Sequence, residues 1–342
     1  MLLAVLLAAQ SSSWLTPLRD SLDLPAIGGL EIEGSKVVGL VAEGVREVGS
    51  EEKISKDAVW HLGSNSKAIT AALVATYIKS GAIGFDSKVL PLLKIKEDEV
   101  ATGWGELTVR QLIEHNGGLS AVTYPAGRMW FQDKRPVREQ RADYARKVLA
   151  KPPGPKRYLY SNQNYTILGA VCEMLGEDTW ENLVRSRVLK PIGIESAGFG
   201  PVSLRNPQPH MFKDGKFRVL DQDEAPDNAP VIYPAGGLHM NLNDYSKWLI
   251  AVMKKDTTLL PPSVWTDLLT PSTVGGRYAG GWLVVRSNGE TKFLTHFGSN
   301  TLNTLGAWVD PLRSKAVCIA TNCHSDVVMK KINEAMVDWM RR

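Results

Sequence analysis

The sequence predicts an α/β protein of the α+β type, in which an antiparallel β-sheet flanked by helices carries an inserted all-helical domain. Strand-like alternation of apolar and polar residues occurs between residues 28 and 49 and again in the last third of the chain, whereas the segment between them is rich in helical patterns. A chain of 342 residues has room for a main domain with a second one inserted. We therefore predict a sheet domain made of residues 14–81 and 226–342, with residues 82–225 as the helical insertion.

The N-terminal part is predicted to hold a leader, a hairpin and a long helix. Residues 1–13 have the length and small-residue ending of a signal peptide but lack a preceding Lys or Arg, so either the signal is atypical or the true start lies upstream. The alternative is an apolar tail or docking strand. The leader is too short to cross a bilayer, and it predicts export to the periplasm or the extracellular space rather than a stable membrane span. Residues 28–49 predict an antiparallel hairpin, and apolar residues between Ser64 and Lys79 predict a helix that ends near Gly81.

The middle and the end of the chain differ in pattern. Helices are predicted at 107–115 (with Thr108 as N-cap), 144–150 and 164–175, and residues 206–230 predict an irregular connection. Short strands are predicted at 278–286, 291–295, 304–309 and 316–321. An amphipathic helix with a cap near Ser325 closes the chain. Strands at both ends of the chain therefore predict one sheet assembled from both.

Composition argues against several classes of function. The net charge is +4 and the Lys and Arg residues are scattered, so the sequence predicts no nucleic-acid partner. Three cysteines make no disulfide framework, and the six histidines are dispersed without zinc-ligand spacing. We therefore predict no metal site and no cofactor, and a small molecule as the partner.

A serine and a lysine three residues apart are the first candidate for catalysis. In Ser64-Asn65-Ser66-Lys67 both side chains would project from one face at the start of a helix, where the N–H groups and the helix dipole favour negative charge. A lysine among apolar residues can lose its proton near neutral pH and act as a base. The spacing alone is weak, because a second match lies at Ser50-Glu51-Glu52-Lys53 in a charged turn, and chance alone supplies about one match in a chain of this length.

Three motifs in order give the sequence a family resemblance. Ser64-Asn65-Ser66-Lys67 opens an Ala-rich helix, Tyr160-Ser161-Asn162 follows roughly a hundred residues later, and His296-Phe297-Gly298 follows a strand late in the chain. This arrangement resembles the serine β-lactamase and penicillin-binding protein superfamily, in particular the class C-like branch with D-alanyl-D-alanine carboxypeptidases and esterases. The resemblance implies a β-lactamase/transpeptidase-like fold and covers about residues 28–322.

The resemblance also implies roles for single residues. Ser64 would be the nucleophile, Lys67 its base or proton relay, and Tyr160 a second acid/base whose pKa Lys67 and His296 would lower. Which of Lys67 and Tyr160 is the principal base stays open, because coupled groups titrate as a unit. Asn162 would orient Lys67 and donate a hydrogen bond to the substrate. His296 and Gly298 would lie on the facing strand. The N–H groups of Ser64 and Ser299 would form an oxyanion hole.

Each of these residues also has a structural alternative. Tyr160 could be a core tyrosine, Asn162 a turn cap and His296 a satisfied sheet histidine. Trp130, Tyr124 and Trp282 could wall the substrate cleft, but core packing is at least as good an explanation for them.

The predicted function is that of a serine hydrolase which cleaves small esters, D-amino-acid peptides or β-lactams through an acyl-enzyme. His296 stands where efficient class C β-lactamases have lysine, which favours the carboxypeptidase and esterase branch over a dedicated class C-type β-lactamase. The class A motifs and the Gly-x-Ser-x-Gly elbow of α/β-hydrolases are absent from the sequence. A slow or non-catalytic penicillin-binding sensor or scaffold is the alternative of another class, and the oligomeric state is left open.

Overall fold

A computed structural model of the chain describes residues 13–121, 127–203, 205–220 and 227–342. Its strands are β1 (Ala26–Glu33), β2 (Lys36–Gly44), β3 (Val59–His61), β4 (Gly198–Phe199), β5 (His210–Lys213), β6 (Lys216–Val219), β7 (Leu238–Asn241), β8 (Tyr278–Ala279), β9 (Trp282–Ser287), β10 (Glu290–Ser299), β11 (Thr304–Asp310) and β12 (Lys315–Thr321). Its α-helices are α1 (Thr16–Ser21), α2 (Ser66–Lys79), α3 (Val89–Leu92), α4 (Val109–Ile113), α5 (Gly127–Gln132), α6 (Val137–Leu149), α7 (Asn162–Gly176), α8 (Trp180–Val184), α9 (Tyr233–Gly236), α10 (Leu242–Lys254), α11 (Pro262–Leu269) and α12 (Asp326–Arg341).

The main sheet joins the two ends of the chain, as the sequence predicts. Its strand order is β2-β1-β12-β11-β10-β9-β8, and every neighbouring pair is antiparallel. The junction between the ends is the β1–β12 pair, in which Leu30 lies opposite Cys318. The mixed α/β fold class with an antiparallel sheet is thus confirmed.

Both faces of this sheet are covered, because its central strands are apolar on both sides. In β12, Ala316, Cys318 and Ala320 belong to the large core that also contains α2 and α10. The alternate residues Val317 and Ile319 pack on the other face with α12. Successive side chains on a strand point to opposite faces, so one short run of residues serves two cores. The helix α12 begins where predicted, and the Ser325 hydroxyl caps it by accepting from the Val328 N–H at 3.2 Å.

The helix α2 runs through the interior. Every residue from Ser66 to Tyr77 is buried, so the helix is surrounded by protein on all sides. The predicted helix from Ser64 begins as a 3-10 turn over Gly63–Asn65 before α2 proper starts at Ser66. Gly81 follows the helix with a φ of +75°, a left-handed conformation that suits glycine.

The helical region confirms the predicted helices with shifted ends. The helix predicted at 144–150 is α6, which begins earlier, at Val137. Its first half escapes prediction because one of its core residues is charged: Arg141 is fully buried and forms ion pairs with Glu173 and Glu181. A buried arginine interrupts the apolar periodicity on which sequence reading depends.

Short strands also occur between residues 82 and 225. β7 lies between β3 and β4 in a small three-stranded sheet, and β5 and β6 form a hairpin. That hairpin lies in the predicted irregular segment 206–230 and turns at Asp214 and Gly215, which both have positive φ. An Asp-Gly pair between alternating residues is a hairpin signal, so this part of the segment is more regular than predicted. The domain boundaries at residues 81 and 225 stay a prediction.

Candidate active site

Ser64 lies in the 3-10 turn before α2, and the two residues that follow it fix this turn. The Asn65 side chain donates to the Leu305 carbonyl oxygen of β11 at 3.0 Å, and the Ser66 hydroxyl donates to the Gly63 carbonyl oxygen at 2.7 Å. Both side chains are buried, where a lost hydrogen bond costs more than at the surface. Ser64 itself is half-buried, so the residue lies on a fixed turn and is not fully enclosed by protein.

Lys67 is the centre of the site. Its Nζ lies 3.0 Å from Ser64 Oγ, 2.8 Å from Asn162 Oδ1 and 2.7 Å from the Ala235 carbonyl oxygen. The side chain is fully buried with no carboxylate among these partners. Burial lowers the pKa of Lys67 well below its ordinary value of 10.5, because the charged ammonium loses its hydration.

Three elements that are distant in sequence converge on Lys67. Asn162 is the first residue of α7, and the preceding Ser161 caps that helix by accepting from the Gln163 N–H at 3.2 Å. Ala235 lies in α9, which is tied to α2 by a 2.7 Å hydrogen bond from the Thr70 hydroxyl to the Pro234 carbonyl oxygen. The predicted proximity of Ser64, Lys67 and Asn162 is present, whereas the contact of the Ala235 carbonyl oxygen with Lys67 is not predicted from the sequence.

Tyr160 lies against the lysine, with its ring centroid 4.8 Å from Lys67 Nζ. The prediction that cations lower the pKa of Tyr160 is wrong. Burial raises the pKa, and the hydrogen bond with Ser64 only partly opposes this rise. The physical reason is that the two expected cations, Lys67 and His296, are themselves buried and lose their protons more easily than in water.

His296 lies on β10 and faces the same group of residues. Its ring centroid is 6.0 Å from that of Tyr160, and its Nε2 is 3.2 Å from the Tyr278 hydroxyl. Burial and then the nearby Lys67 lower the pKa of His296 to about 3, against a smaller opposite effect of the Phe297 backbone. His296 is therefore neutral at physiological pH and supplies no positive charge to the strand.

The backbone at the end of β10 and the backbone of the turn that carries Ser64 are in close contact at Gly298 and Gly63. A methyl group on Gly298 would lie 2.8 Å from the Ser64 nitrogen, and one on Gly63 would lie 2.3 Å from the Ser299 nitrogen. Only glycine allows backbones to approach this closely. The two N–H groups predicted as oxyanion donors, those of Ser64 and Ser299, therefore belong to backbone segments in direct contact, and both residues are half-buried rather than enclosed.

A group of aromatic residues beside Tyr160 extends the site beyond the predicted residues. His115 is buried with a φ of +57°, and its ring lies 4.6 Å from those of Tyr160 and Tyr278 and 5.2 Å from that of Tyr165. Burial, followed by Lys67 and His296, lowers the pKa of His115. The sequence contains a further His-x-Gly match at His115-Asn116-Gly117, but no sequence signal shows that the His115 ring packs on a tyrosine far along the chain.

Three aromatic residues are candidates for the cleft wall from the sequence. Trp130 and Trp282 are both almost fully buried and belong to the core, so packing accounts for them. Tyr124 lies outside the described residues.

Two kinds of site are not found in the described part of the chain. No cluster of three or more His, Cys, Asp or Glu residues suited to a metal ion occurs there. None of the helices in that part has the length and apolar character needed to cross a membrane. The predicted leader falls almost wholly in residues 1–12, outside the described ranges.

Relatives of this chain are known among proteins and solved structures. Penicillin-binding protein 4 of Amycolatopsis lactamdurans is 28% identical over 161 residues, which are 46% of this chain and 40% of that protein. Protein flp of Staphylococcus aureus (strain COL) is 20% identical over 327 residues, which are 90% of this chain and 62% of that protein. The chain thus spans less than two thirds of the length of either relative.

The fold and the family agree with these relatives. The octameric penicillin-binding protein homologue from Pyrococcus abyssi superposes with a TM-score of 0.78 at 20% identity, over 96% of this chain and 76% of that one. The sequence model of the family described as beta-lactamase matches residues 13–338, nearly the whole chain. The chain belongs to the beta-lactamase family.

Proposed function

We propose that this protein is a serine hydrolase that forms an acyl-enzyme on Ser64, with Lys67 as the general base. The observation that carries the proposal is the environment of Lys67 Nζ, buried 3.0 Å from Ser64 Oγ. A neutral amine has two hydrogens and one lone pair. Asn162 Oδ1 and the Ala235 carbonyl oxygen accept the two hydrogens, which leaves the lone pair for the proton of Ser64.

Acylation then follows in two steps. The proton of the Ser64 hydroxyl passes to Lys67 Nζ while Oγ forms a bond to the substrate carbonyl carbon, and the N–H groups of Ser64 and Ser299 stabilise the oxyanion. The oxyanion collapses, the bond to the leaving group breaks, and the leaving group takes a proton. Water later attacks the acyl-enzyme by the same steps in reverse and regenerates Ser64.

Tyr160 is assigned as the proton donor rather than as the base. Because burial raises its pKa, the phenol keeps its proton at neutral pH. It can donate to the leaving group and recover a proton from Lys67, whose Nζ lies 4.8 Å from its ring centroid. Of the two candidates for the principal base, these directions of the pKa favour Lys67.

For the substrate we propose small esters, with D-amino-acid peptides and β-lactams, which both carry a carboxylate, as poorer substrates. The support is His296, which is neutral because its pKa is lowered to about 3. A strand without a positive charge attracts an anionic substrate group less than a lysine would. A dedicated β-lactamase, and a sensor that acylates slowly or never, are the alternatives that the experiment separates.

The test compares both Ser-x-x-Lys serines. The wild type, Ser64→Ala and the matched control Ser50→Ala are incubated with a fluorescent penicillin, a chromogenic cephalosporin, a D-alanyl-D-alanine peptide and a p-nitrophenyl ester. We expect turnover of the ester or the peptide, mass spectrometric detection of an acyl group on Ser64, and loss of both in Ser64→Ala alone. Rapid cephalosporin turnover would identify a β-lactamase, and labelling without turnover a sensor.

The outcome that contradicts the proposal is equally clear. Turnover by Ser64→Ala equal to that of the wild type would exclude Ser64 as the nucleophile. Loss of turnover in Ser50→Ala as well would point to a general effect on folding, which thermal melting of the three proteins distinguishes.

Export is part of the proposal. It is supported by the apolar leader in residues 1–13. Expression with and without this leader, followed by cell fractionation and N-terminal sequencing, tests it, and an unprocessed intracellular product would contradict it.

A further inference from the structure

A buried histidine lies directly behind the Ser64 turn. His61 ends β3, and its Nδ1 accepts a hydrogen bond from the Gly63 N–H at 3.0 Å. Its Nε2 faces the carboxyl group of Asp227, at 3.0 Å from Oδ1 and 3.1 Å from Oδ2. The two side chains are only 2% and 1% exposed, so water cannot replace either partner.

This geometry fixes the tautomer of His61. The Gly63 N–H points at Nδ1, which must therefore present a lone pair, so the imidazole proton resides on Nε2 toward Asp227. Burial opposes ionisation of Asp227, but His61 and the hydrogen bonds from Asn300 and Asn228 outweigh it and hold the pKa of Asp227 below its ordinary value. The carboxylate in turn keeps His61 in the one tautomer that can accept from Gly63.

Asp227 connects the same histidine to the other side of the site. Its Oδ1 accepts from the Asn300 side chain at 3.0 Å, and Asn300 directly follows Ser299 at the end of β10. The next residue, Asn228, donates from its side chain to the Gly236 carbonyl oxygen at 2.8 Å, beside the Ala235 carbonyl that binds Lys67. One buried carboxylate thus lies between the segments that carry Ser64, Ser299 and Ala235.

We propose that His61, Asp227 and Asn300 form a positioning clamp that holds the Ser64 turn and the Ser299 end of β10 at the separation the two oxyanion donors require. The inference rests on the proposed acyl-serine chemistry. None of the three residues reaches the reacting atoms in the described geometry, so they act through the peptide groups of Gly63, Ser64 and Ser299. A misplacement of about 1 Å at such donors lowers the rate on the order of 100-fold.

Paired amide variants separate the two hydrogen bonds of His61. In His61→Asn the amide oxygen takes the place of Nδ1 and still accepts from Gly63, whereas in His61→Gln the amide nitrogen takes the place of Nε2 and faces only Asp227. His61→Leu removes both bonds. Acylation is followed by labelling with the substrate found above, and its dependence on concentration gives a limiting rate and a half-saturating concentration.

We expect His61→Leu to lower the limiting rate about 10- to 100-fold with little change in the half-saturating concentration. His61→Asn should restore most of the rate and His61→Gln much less, because only the former holds the Gly63 N–H. A role confined to stability would move the melting temperature of the variants without this order of rates.

Two further proteins keep the inference falsifiable. His239→Asn is the matched control, since His239 lies directly opposite His61 on β7 and bonds to the Gly200 carbonyl oxygen rather than to the Ser64 turn. If His61→Leu fails to fold, Asn300→Ala tests the other end of the clamp and should also lower the limiting rate. Wild-type rates in folded His61→Leu or Asn300→Ala would overturn the clamp, while absence of Ser64 labelling in the wild type would overturn the proposed function itself.

Discussion

Two segments of this protein have the same local pattern and very different surroundings. Gly49-Ser50-Glu51-Glu52-Lys53 and Gly63-Ser64-Asn65-Ser66-Lys67 both place a left-handed glycine before a serine and a lysine three residues after it. In the first, the Ser50 hydroxyl accepts from the Glu52 N–H in an exposed turn, and Lys53 is exposed. In the second, the two intervening residues and Lys67 are buried.

The difference teaches that spacing brings the two side chains together but burial supplies the chemistry. An exposed lysine is hydrated and keeps its proton, which makes it a poor base at neutral pH. Lys67 has lost its hydration shell and receives in exchange two carbonyl-type oxygens and one hydroxyl. Three predictions test this comparison, beginning with the largest effect.

The largest effect is expected from removing the amine. Lys67→Met keeps the apolar stem but removes the base, and we expect acylation of Ser64 to fall on the order of 1,000-fold, as for loss of a general base. The matched variant Lys53→Met should acylate like the wild type. Rates are measured by labelling with the substrate identified for the wild type.

A Lys67→Met protein that is folded and acylates at the wild-type rate would contradict the assignment of the base. An equal loss of rate in Lys53→Met would show that the two segments are not distinguished by burial.

An intermediate effect is expected at the two glycines. Gly49 has a φ of +85° and open space where a methyl group would stand, so Gly49→Ala adds only the left-handed strain of about 1–2 kcal/mol. Gly63 has a φ of +50°, and a methyl group there would lie 2.3 Å from the Ser299 nitrogen, a backbone atom that cannot turn aside. We expect Gly63→Ala to cost about 1–3 kcal/mol more.

Urea unfolding of the two glycine variants measures this difference, and acylation rates show its consequence for the site. Gly63→Ala should separate β10 from the Ser64 turn and lower the rate, whereas Gly49→Ala should not. Equal destabilisation and equal rates would mean that the close approach of Gly63 and Ser299 is not needed.

The sequence alone predicts much of the site but little of its electrostatics. Ser64, Lys67, Tyr160 and Asn162 can be found because each motif has a local spacing and the three motifs have a fixed order. The Ala235 carbonyl, the His115 ring and the Asp227 carboxylate cannot, because a backbone oxygen has no sequence signal and contacts between distant segments have no spacing. The predicted direction of the Tyr160 pKa shift is wrong for the same reason, since it depends on how deeply its neighbours are buried.

The fold shows the same division. The strands at both ends of the chain and the capped helix α12 follow from alternation and from Ser325, which are local features. The start of α6 does not, because its buried Arg141 is satisfied by Glu173 and Glu181, which lie on other helices. Polar residues that are satisfied only by tertiary contacts are thus the main source of error in both the fold and the site.

The smallest effect is expected in the pH dependence of stability, and its sign follows from Lys67. Burial lowers the folded pKa of this lysine well below 10.5, so between the lowered value and 10.5 the unfolded chain binds one more proton than the folded chain. The free energy of unfolding therefore rises with pH in that window, by at most about 1.4 kcal/mol per pH unit for one group, and this contribution is lost as pH falls through the lowered value.

Urea unfolding at several pH values between neutral and mildly alkaline measures this contribution. The difference between the free energies of unfolding of the wild type and Lys67→Met separates it from that of the thiols and tyrosines, which are common to both proteins. A difference that stays constant with pH would contradict a lowered pKa for Lys67.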